Sequence, residues 1–290
     1  MVWRKLVRNP LSLLGLVILL GFILVATLAP VLAPTPERYA HEPYRIPRYG
    51  WLTTPRPPSK DHPFGLTQGQ YDIFYGVVWG TRTAFKVGLT VVSVTCAIGV
   101  LVGSVSAYIG GKFDEVVMRF VDMFMSFPFL IGAIVITTVL GRGLDKVVMA
   151  MILFRWTGYA RLIRGSVLQV KQEEYVKAAR ACGVKPYKIL WRHILPNTIF
   201  PVLIQASMNM GSIVVSAATL SFLGLGAPEG YADWGQMISF ARAWILGAPG
   251  DPLLYWYTVV YPGVAIVLFV LSWNLIGDAF RDIMDPKIQA

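Results

Sequence analysis

Long apolar runs separated by short polar punctuation define this chain. Residues 11–33 carry no charged side chain, and 23 residues at about 1.5 Å each span a bilayer core. Arg4, Lys5 and Arg8 precede this run, whose length predicts a retained first membrane helix with its N-terminus inside rather than a cleaved leader. Residues 34–80 change character: eight prolines from Pro34 to Pro63 disfavour regular helix and predict an extended external segment. A second span follows from about Thr83 to Ile109, with Gly88, Gly99 and Gly103 suited to close helix packing in lipid. The stretch from Phe113 to Leu140 reads as a third, single helix that reaches spanning length only if it begins near Glu115, with Arg119 and Asp122 as an interfacial pair three apart. Leu144 to Gly165 is a fourth span interrupted by Arg155, whose charge costs roughly 2.5–3.5 kcal/mol on insertion scales and must therefore face protein or water.

The fifth span, Asn197 to Gly226, places Gln205, Asn209 and Ser212 on one face. Polar groups in lipid need partners, so this face either packs on other helices or lines a wet path. Arg155, Gln205, Asn209 and Ser212 are the candidate pathway residues. Residues 227–252 form an external loop with an amphipathic stretch around Ile238, Trp244 and Ile245, and the sixth span runs from Leu253 to Phe280.

Between the fourth and fifth spans lies a polar island, residues 173–197. Glu173 and Glu174 favour a helix start, Gly183 a helix stop, and Pro186 the first turn of a second short helix to Ile194. The predicted object is a compact helix–turn–helix knob on the membrane's inner face.

Composition narrows the class. A mean hydropathy of +0.57 and 55% hydrophobic residues exclude an ordinary soluble domain. The net charge of +10 does not call for nucleic acid here, because basic loops retained on the inner side account for much of it. Six spans put fifteen basic residues inside and ten outside, with Arg155 left in the membrane. Cys96 and Cys182 give no disulfide framework, and His41, His62 and His193 have no metal-ligand spacing. Gly111-Lys112 is followed by Phe113, so no phosphate-binding loop is present and no ATP hydrolysis is expected of this chain. No HExxH or GxSxG motif occurs, which argues against a membrane-embedded hydrolase.

The polar island also carries a resemblance. Lys177-Ala178-Ala179, then Gly183, then Leu195-Pro196 resembles the EAA loop of ABC importer permeases, with Lys177 where that loop has Glu and His193 where it has Ile. His62-Pro63-Phe64-Gly65 resembles the opening of the core in peptide-importer permeases, though of the following residues only Gly69 and Asp72 match that pattern. The stretches 113–128, 156–165, 218–226 and 274–282 are similar in wording to the same family. The chain is thus identified as similar to the second permease subunit of the dipeptide/oligopeptide class.

That resemblance implies an all-α integral membrane protein of six transmembrane helices, the type I ABC importer permease fold with a cytoplasmic coupling helix. The expected division is residues 1–33, tail and first helix; 34–80, extracytoplasmic segment; 81–284, five-helix core with a coupling loop at 171–195; and 285–290, a second cytoplasmic tail. It also implies a homologous permease as heterodimer partner, two ABC ATPase subunits and an extracytoplasmic solute-binding protein, in a prokaryotic inner membrane. Glu174, Lys177, Ala178, Ala179, Gly183, Lys185 and Pro186 are the expected ATPase contacts. No cofactor, metal or catalytic residue is expected. Di- or oligopeptide import is the leading function; the same machine carrying an oligosaccharide or a nickel complex is the alternative.

Overall fold

The computed structural model describes residues 9–248 and 250–284; Arg4, Lys5, Arg8 and the tail 285–290 lie outside them. The described chain is helical throughout, with only isolated backbone bridges in its loops. Helix α1 spans Pro10–Leu32, capped by Asn9, whose side-chain oxygen accepts the amide of Leu11. Then come α2 (Ile73–Ile109), α3 (Gly111–Ser126), α4 (Phe129–Leu140) and α5 (Leu144–Val170). Three short helices follow, α6 (Glu174–Ala181), α7 (Pro186–Ile189) and α8 (Leu195–Thr198), then α9 (Phe200–Phe222), α10 (Trp234–Phe240) and α11 (Tyr257–Met284).

The pairing of residues gives the direction of each helix. Gly99 abuts Tyr159 and Gly103 abuts Ala160 and Ile163, while Val87 and Val91 share a cluster with Val147 and Met151. The two sequences advance together, so α2 and α5 run parallel. A Cβ on Gly99 would lie 2.6 Å from the carbonyl oxygen of Trp156, which shows how nearly the backbones touch. Parallel neighbours require one return pass between them, and α3 with α4 supplies it. Helix α9 runs opposite to α5, with Ala206 beside the C-terminal part of α5 and Leu220 beside its N-terminal part. Helix α11 runs opposite to α9, since Gly211 meets Val270 and Gly277 meets Met208. Helix α1 runs opposite to α11, since Gly15 meets Leu275 and Phe22 meets Phe269 edge-on at 5.4 Å. The chain therefore crosses the bundle six times, and α1 begins at the end where α11 finishes.

Length and composition mark α1, α2, α9 and α11 as bilayer-spanning, and the bent pair α3–α4 as a fifth crossing. Helix α5 has the length but too many charges to be marked by composition, although it keeps register with α2 along the bundle.

Two boundaries and one ion pair differ from expectation. The third span is not one helix: α3 and α4 meet at 84° across Phe127-Pro128, because the residue before proline is driven out of the helical region and Phe127 is extended. Nor does Arg119 pair with Asp122, which bonds instead to Arg161 of α5. The second span begins ten residues earlier than Thr83, at Ile73. Asp72 caps it by accepting the Tyr75 amide at 2.8 Å, and beyond Pro63 no proline opposes the helix.

The region before α2 forms a folded cap with the loop around α10. Asp72 also bonds His62 at 2.7 Å, so the one carboxylate ties the loop to the helix start. The altered segment after His62 is interior: Leu66, Thr67, Gln70 and Tyr71 are buried, Tyr71 stacks on Phe240, and Trp244 donates to the side-chain oxygen of Gln68 at 3.0 Å. The helix near Ile238 ends at Phe240, so Trp244 and Ile245 of the expected amphipathic stretch lie in turns, with Ile245 exposed. Trp234, Gly235, Gln236 and Met237 of α10 are all buried, with the indole of Trp234 donating to Val77.

Asp233 caps α10, accepting the Gln236 amide at 2.9 Å. Its burial raises its pKa to about 6, against the stabilising pull of that amide. The folded protein therefore holds a proton that the unfolded chain releases near pH 4, so this group's contribution to stability falls as pH rises from about 4 through about 6. Asp233→Asn keeps the cap acceptor and removes the charge. We expect its thermal unfolding temperature in detergent to exceed the parent's at pH 7.5 and to match it more closely at pH 5; a parallel pH dependence in both proteins would contradict this assignment.

Candidate functional site

Two places hold the residues singled out from sequence: a knob at the end of the bundle where α1 begins, and a polar face within it. In the knob, α6 presents Val176 to a cluster with Ile189, Leu190 and Ile194, which in turn packs on Ala107 of α2 and Ile163 and Val167 of α5. Helix α6 ends in a Schellman turn: the Gly183 amide bonds the Arg180 carbonyl at 3.0 Å and the Val184 amide bonds that of Ala179 at 3.1 Å. Gly183 takes φ +74, the left-handed conformation that such a turn needs. Pro186 opens α7 with Lys185 at its cap.

Beyond Pro186 the expected helix to Ile194 is instead a four-residue turn followed by a π-helical turn at Leu190–Ile194 and then α8, nearly continuous with α9. Pro196 lacks the amide that an α-helix would aim at Arg192, and the wider turn absorbs the loss. Among the expected contacts, Glu174, Lys177, Ala178, Gly183, Lys185 and Pro186 are exposed together, whereas Ala179 is half-buried against the core cluster. Glu174 and Lys177 bond each other at 2.7 Å. Tyr175, Tyr187 and Trp191 add an exposed aromatic rim that the motif pattern does not contain.

Ion pairs fasten the bent helix to α5 just above the knob. Asp114 is buried and takes three hydrogen bonds from Arg164, the shortest 2.6 Å, plus the hydroxyl of Ser106 at 2.5 Å. Lys171 donates to the Ala107 and Tyr108 carbonyls at 3.2 and 2.6 Å, a cation seated on the C-terminus of α2.

Within the bundle, Gln205 bonds Asn209 at 3.0 Å, and Asn209 bonds the hydroxyl of Tyr159 at 2.9 Å. One turn further, Arg155 donates to Ser212 at 3.1 Å and to Ser216 at 2.6 Å, with its guanidinium 5.1 Å from the ring centre of Phe129. Arg155, Gln205 and Asn209 line one cleft of about 570 Å³, together with Thr157, Gly158 and Arg161. Three of the four candidate pathway residues thus share one cleft, and Ser212 joins them through its bond to Arg155. Tyr159 and Ser216 belong with them and were legible, since each lies four residues from a residue already picked out. Phe129 was not, because it comes from the helix beyond the bend.

Residues 99–290 match the family described as the binding-protein-dependent transport system inner membrane component, and residues 1–47 match the N-terminal TM domain of oligopeptide transport permease C. The chain belongs to this family. It is 34% identical over 288 residues to the dipeptide transport system permease protein DppC of Alkalihalophilus pseudofirmus, covering 99% of this chain and 90% of the relative. It is 35% identical over 287 residues to the probable D,D-dipeptide transport system permease protein DdpC of Escherichia coli K12, with 99% and 91% coverage. It is 36% identical to the glutathione transport system permease protein GsiD of Escherichia coli O157:H7, again over 99% of this chain and 90% of the relative. Its fold is similar to that of the inward-facing MetNI methionine ABC transporter, with TM-score 0.58 and 20% identity over 73% of this chain and 98% of that one. The expected type I importer permease fold is therefore the fold of this inner membrane component, a multi-pass protein of a transport system that works with a binding protein.

In this permease-family chain the Asp114–Arg164 pair is the polar joint of the fold. Removing Arg164 leaves the Asp114 carboxylate with Ser106 alone and costs about 1–3 kcal/mol. Arg164→Leu should lower the unfolding temperature in detergent clearly more than Arg119→Leu, whose parent side chain is exposed and unpaired among the described residues. Equal effects would remove the joint from the account.

Proposed function

We propose that this chain is the second permease subunit of an ATP-driven, binding-protein-dependent importer of di- or oligopeptides. Its match to dipeptide and glutathione permeases along 99% of its length carries the cargo reading. In this reading both termini and the knob face the cytoplasm, where the basic surplus of the knob belongs. A homologous permease completes the pathway, an extracytoplasmic binding protein delivers substrate, and two ATPase subunits hydrolyse ATP. The chain itself performs no chemistry.

Coupling is mechanical. The exposed face of α6 with Gly183, Lys185 and Pro186 seats in a groove of one ATPase, and the shared cluster of Val176, Ile189 and Ile194 with α2 and α5 passes the displacement on as a rigid-body motion. The facing surfaces of α5 and α9, with Arg155, Gln205, Asn209 and Ser212, line the path that opens alternately to each side. The folded interior of the segment after His62 gives no ground for a different cargo, so the oligosaccharide and nickel alternatives have no observation in their favour.

Uptake of labelled di- and tripeptides into proteoliposomes holding the complete transporter and its binding protein tests the cargo; ATP-dependent peptide accumulation is expected, and uptake of only a sugar or a nickel chelate would replace it. The knob has its own test. Gly183→Val forces a β-branched side chain into a left-handed backbone at a cost of about 1–3 kcal/mol, with open space around it, so the turn rather than packing is disturbed. We expect ATP consumed per peptide imported to rise at least fivefold, with Gly183→Asn near the parent because Asn tolerates that conformation. An unchanged ratio in Gly183→Val would dismiss the coupling role.

A further inference from the structure

Every other basic side chain of α5 has an acidic partner: Lys146 with Asp145, Arg161 with Asp122, Arg164 with Asp114. Arg155, near the middle of the same helix, has none among the described residues. It uses two of its five N–H donors, both on neutral serine hydroxyls, and its buried Nε makes no hydrogen bond. A guanidinium in a membrane span is costly, and a fold that merely needed to hold it would neutralise it as it does its neighbours.

The surroundings of Arg155 fix its direction without cancelling its charge. Ser212 and Ser216 hold the two terminal nitrogens, and the face of Phe129 lies beside the guanidinium plane's carbon at 5.1 Å. The cleft it opens into continues along Gln205 and Asn209, whose amides donate and accept. Met125 and Leu162 complete its wall, and Arg161 beside them is already met by Asp122; the free guanidinium followed by amides is a surface for a carboxylate followed by a peptide backbone.

We propose that Arg155 is a carboxylate station in the translocation path, taking the free terminal carboxylate of a short peptide while Gln205 and Asn209 face its amide. This rests on the peptide-import reading above. The station reads backbone rather than side chains, so it is indifferent to sequence. Neutral hydroxyl supports leave the charge available on arrival, and a single unpaired fork, the neighbouring Arg161 being held by Asp122, lets the peptide leave again.

The experiment compares initial ATP-driven uptake of alanyl-phenylalanine and its C-terminal amide in proteoliposomes with the complete transporter. The binding protein is the same for every variant, so its own preference cancels when acid-to-amide ratios are compared. Arg155→Gln should lower that ratio at least tenfold, through loss of acid uptake with amide uptake retained. Arg155→Lys, which keeps the charge but not the fork, should fall between them. An unchanged ratio in both variants overturns the proposal and leaves peptide import standing. Equal loss of acid and amide uptake also overturns it, and gives Arg155 to a carboxylate on the partner permease. If the parent protein moves neither peptide, the cargo reading fails, and the proposal with it.

Discussion

Backbone contact between α2 and α5 is the constraint from which the rest of the architecture follows. Gly99 and Gly103 leave no side chain of α2 between the two helices at that level, so α5 lies there against the main chain of α2, while Val87 and Val91 meet Val147 and Met151 further along. In lipid this is how helices gain from association, since apolar side chains have equally good partners in the acyl chains. Because the two run parallel, the chain between them must cross back once. The bend at Phe127-Pro128 lets it do so as two short helices, one packed low against α5 and the other high.

The same contact explains where the charges are. A helix held so closely on one side has a free face on the other, and α5 puts its arginines there. Arg161 and Arg164 fall where α3 passes and meet Asp122 and Asp114. Arg155 falls one level higher, where α3 has given way to the apolar α4, and finds Phe129 and the serines of α9 instead. The position of one proline thus separates two basic residues that are bound by carboxylates from one that is not.

Much of this was legible in the chain. Apolar runs located α1, α9 and α11, and Gly183 with Pro186 located the turn of the knob, because left-handed turns and first helical turns have narrow residue preferences. The polar face of α9 followed from spacing alone. What was missed involved residues whose partners are distant in sequence. Asp122 looks toward Arg119 along one helix but bonds Arg161, 39 residues away, and Asp72 gives no hint that it will bind both a helix start and His62. Pro128 was read as a feature within a helix when its steric demand on Phe127 ends one. Periodicity reports which face a residue occupies; it does not report what that face meets.

The knob and the pathway face, described separately, share one support. Val176 packs beneath α6 on a cluster that includes Val167 and Ile163 of α5, and Tyr159, one turn above Ile163, holds Asn209 on the other side of the same helix. A displacement of the knob that tilts α5 must therefore either carry Asn209 and the α9 face with it or break that bond. Arg155 lies one further turn up the same helix and is bound to Ser212 and Ser216 by the same logic. Neutral hydrogen bonds of this kind are worth about 1 kcal/mol each net, less than charge-assisted bonds such as those of Arg164 to Asp114, roughly 1.5–3 kcal/mol. The lower end of α5 is thus fastened to α3 by charge, whereas its polar links to α9 are neutral hydrogen bonds set among apolar contacts such as Ala206 with Ile163. Motion entering through the knob would part the polar face of α5 from α9 before it parted α5 from α3, in keeping with the proposed path between them.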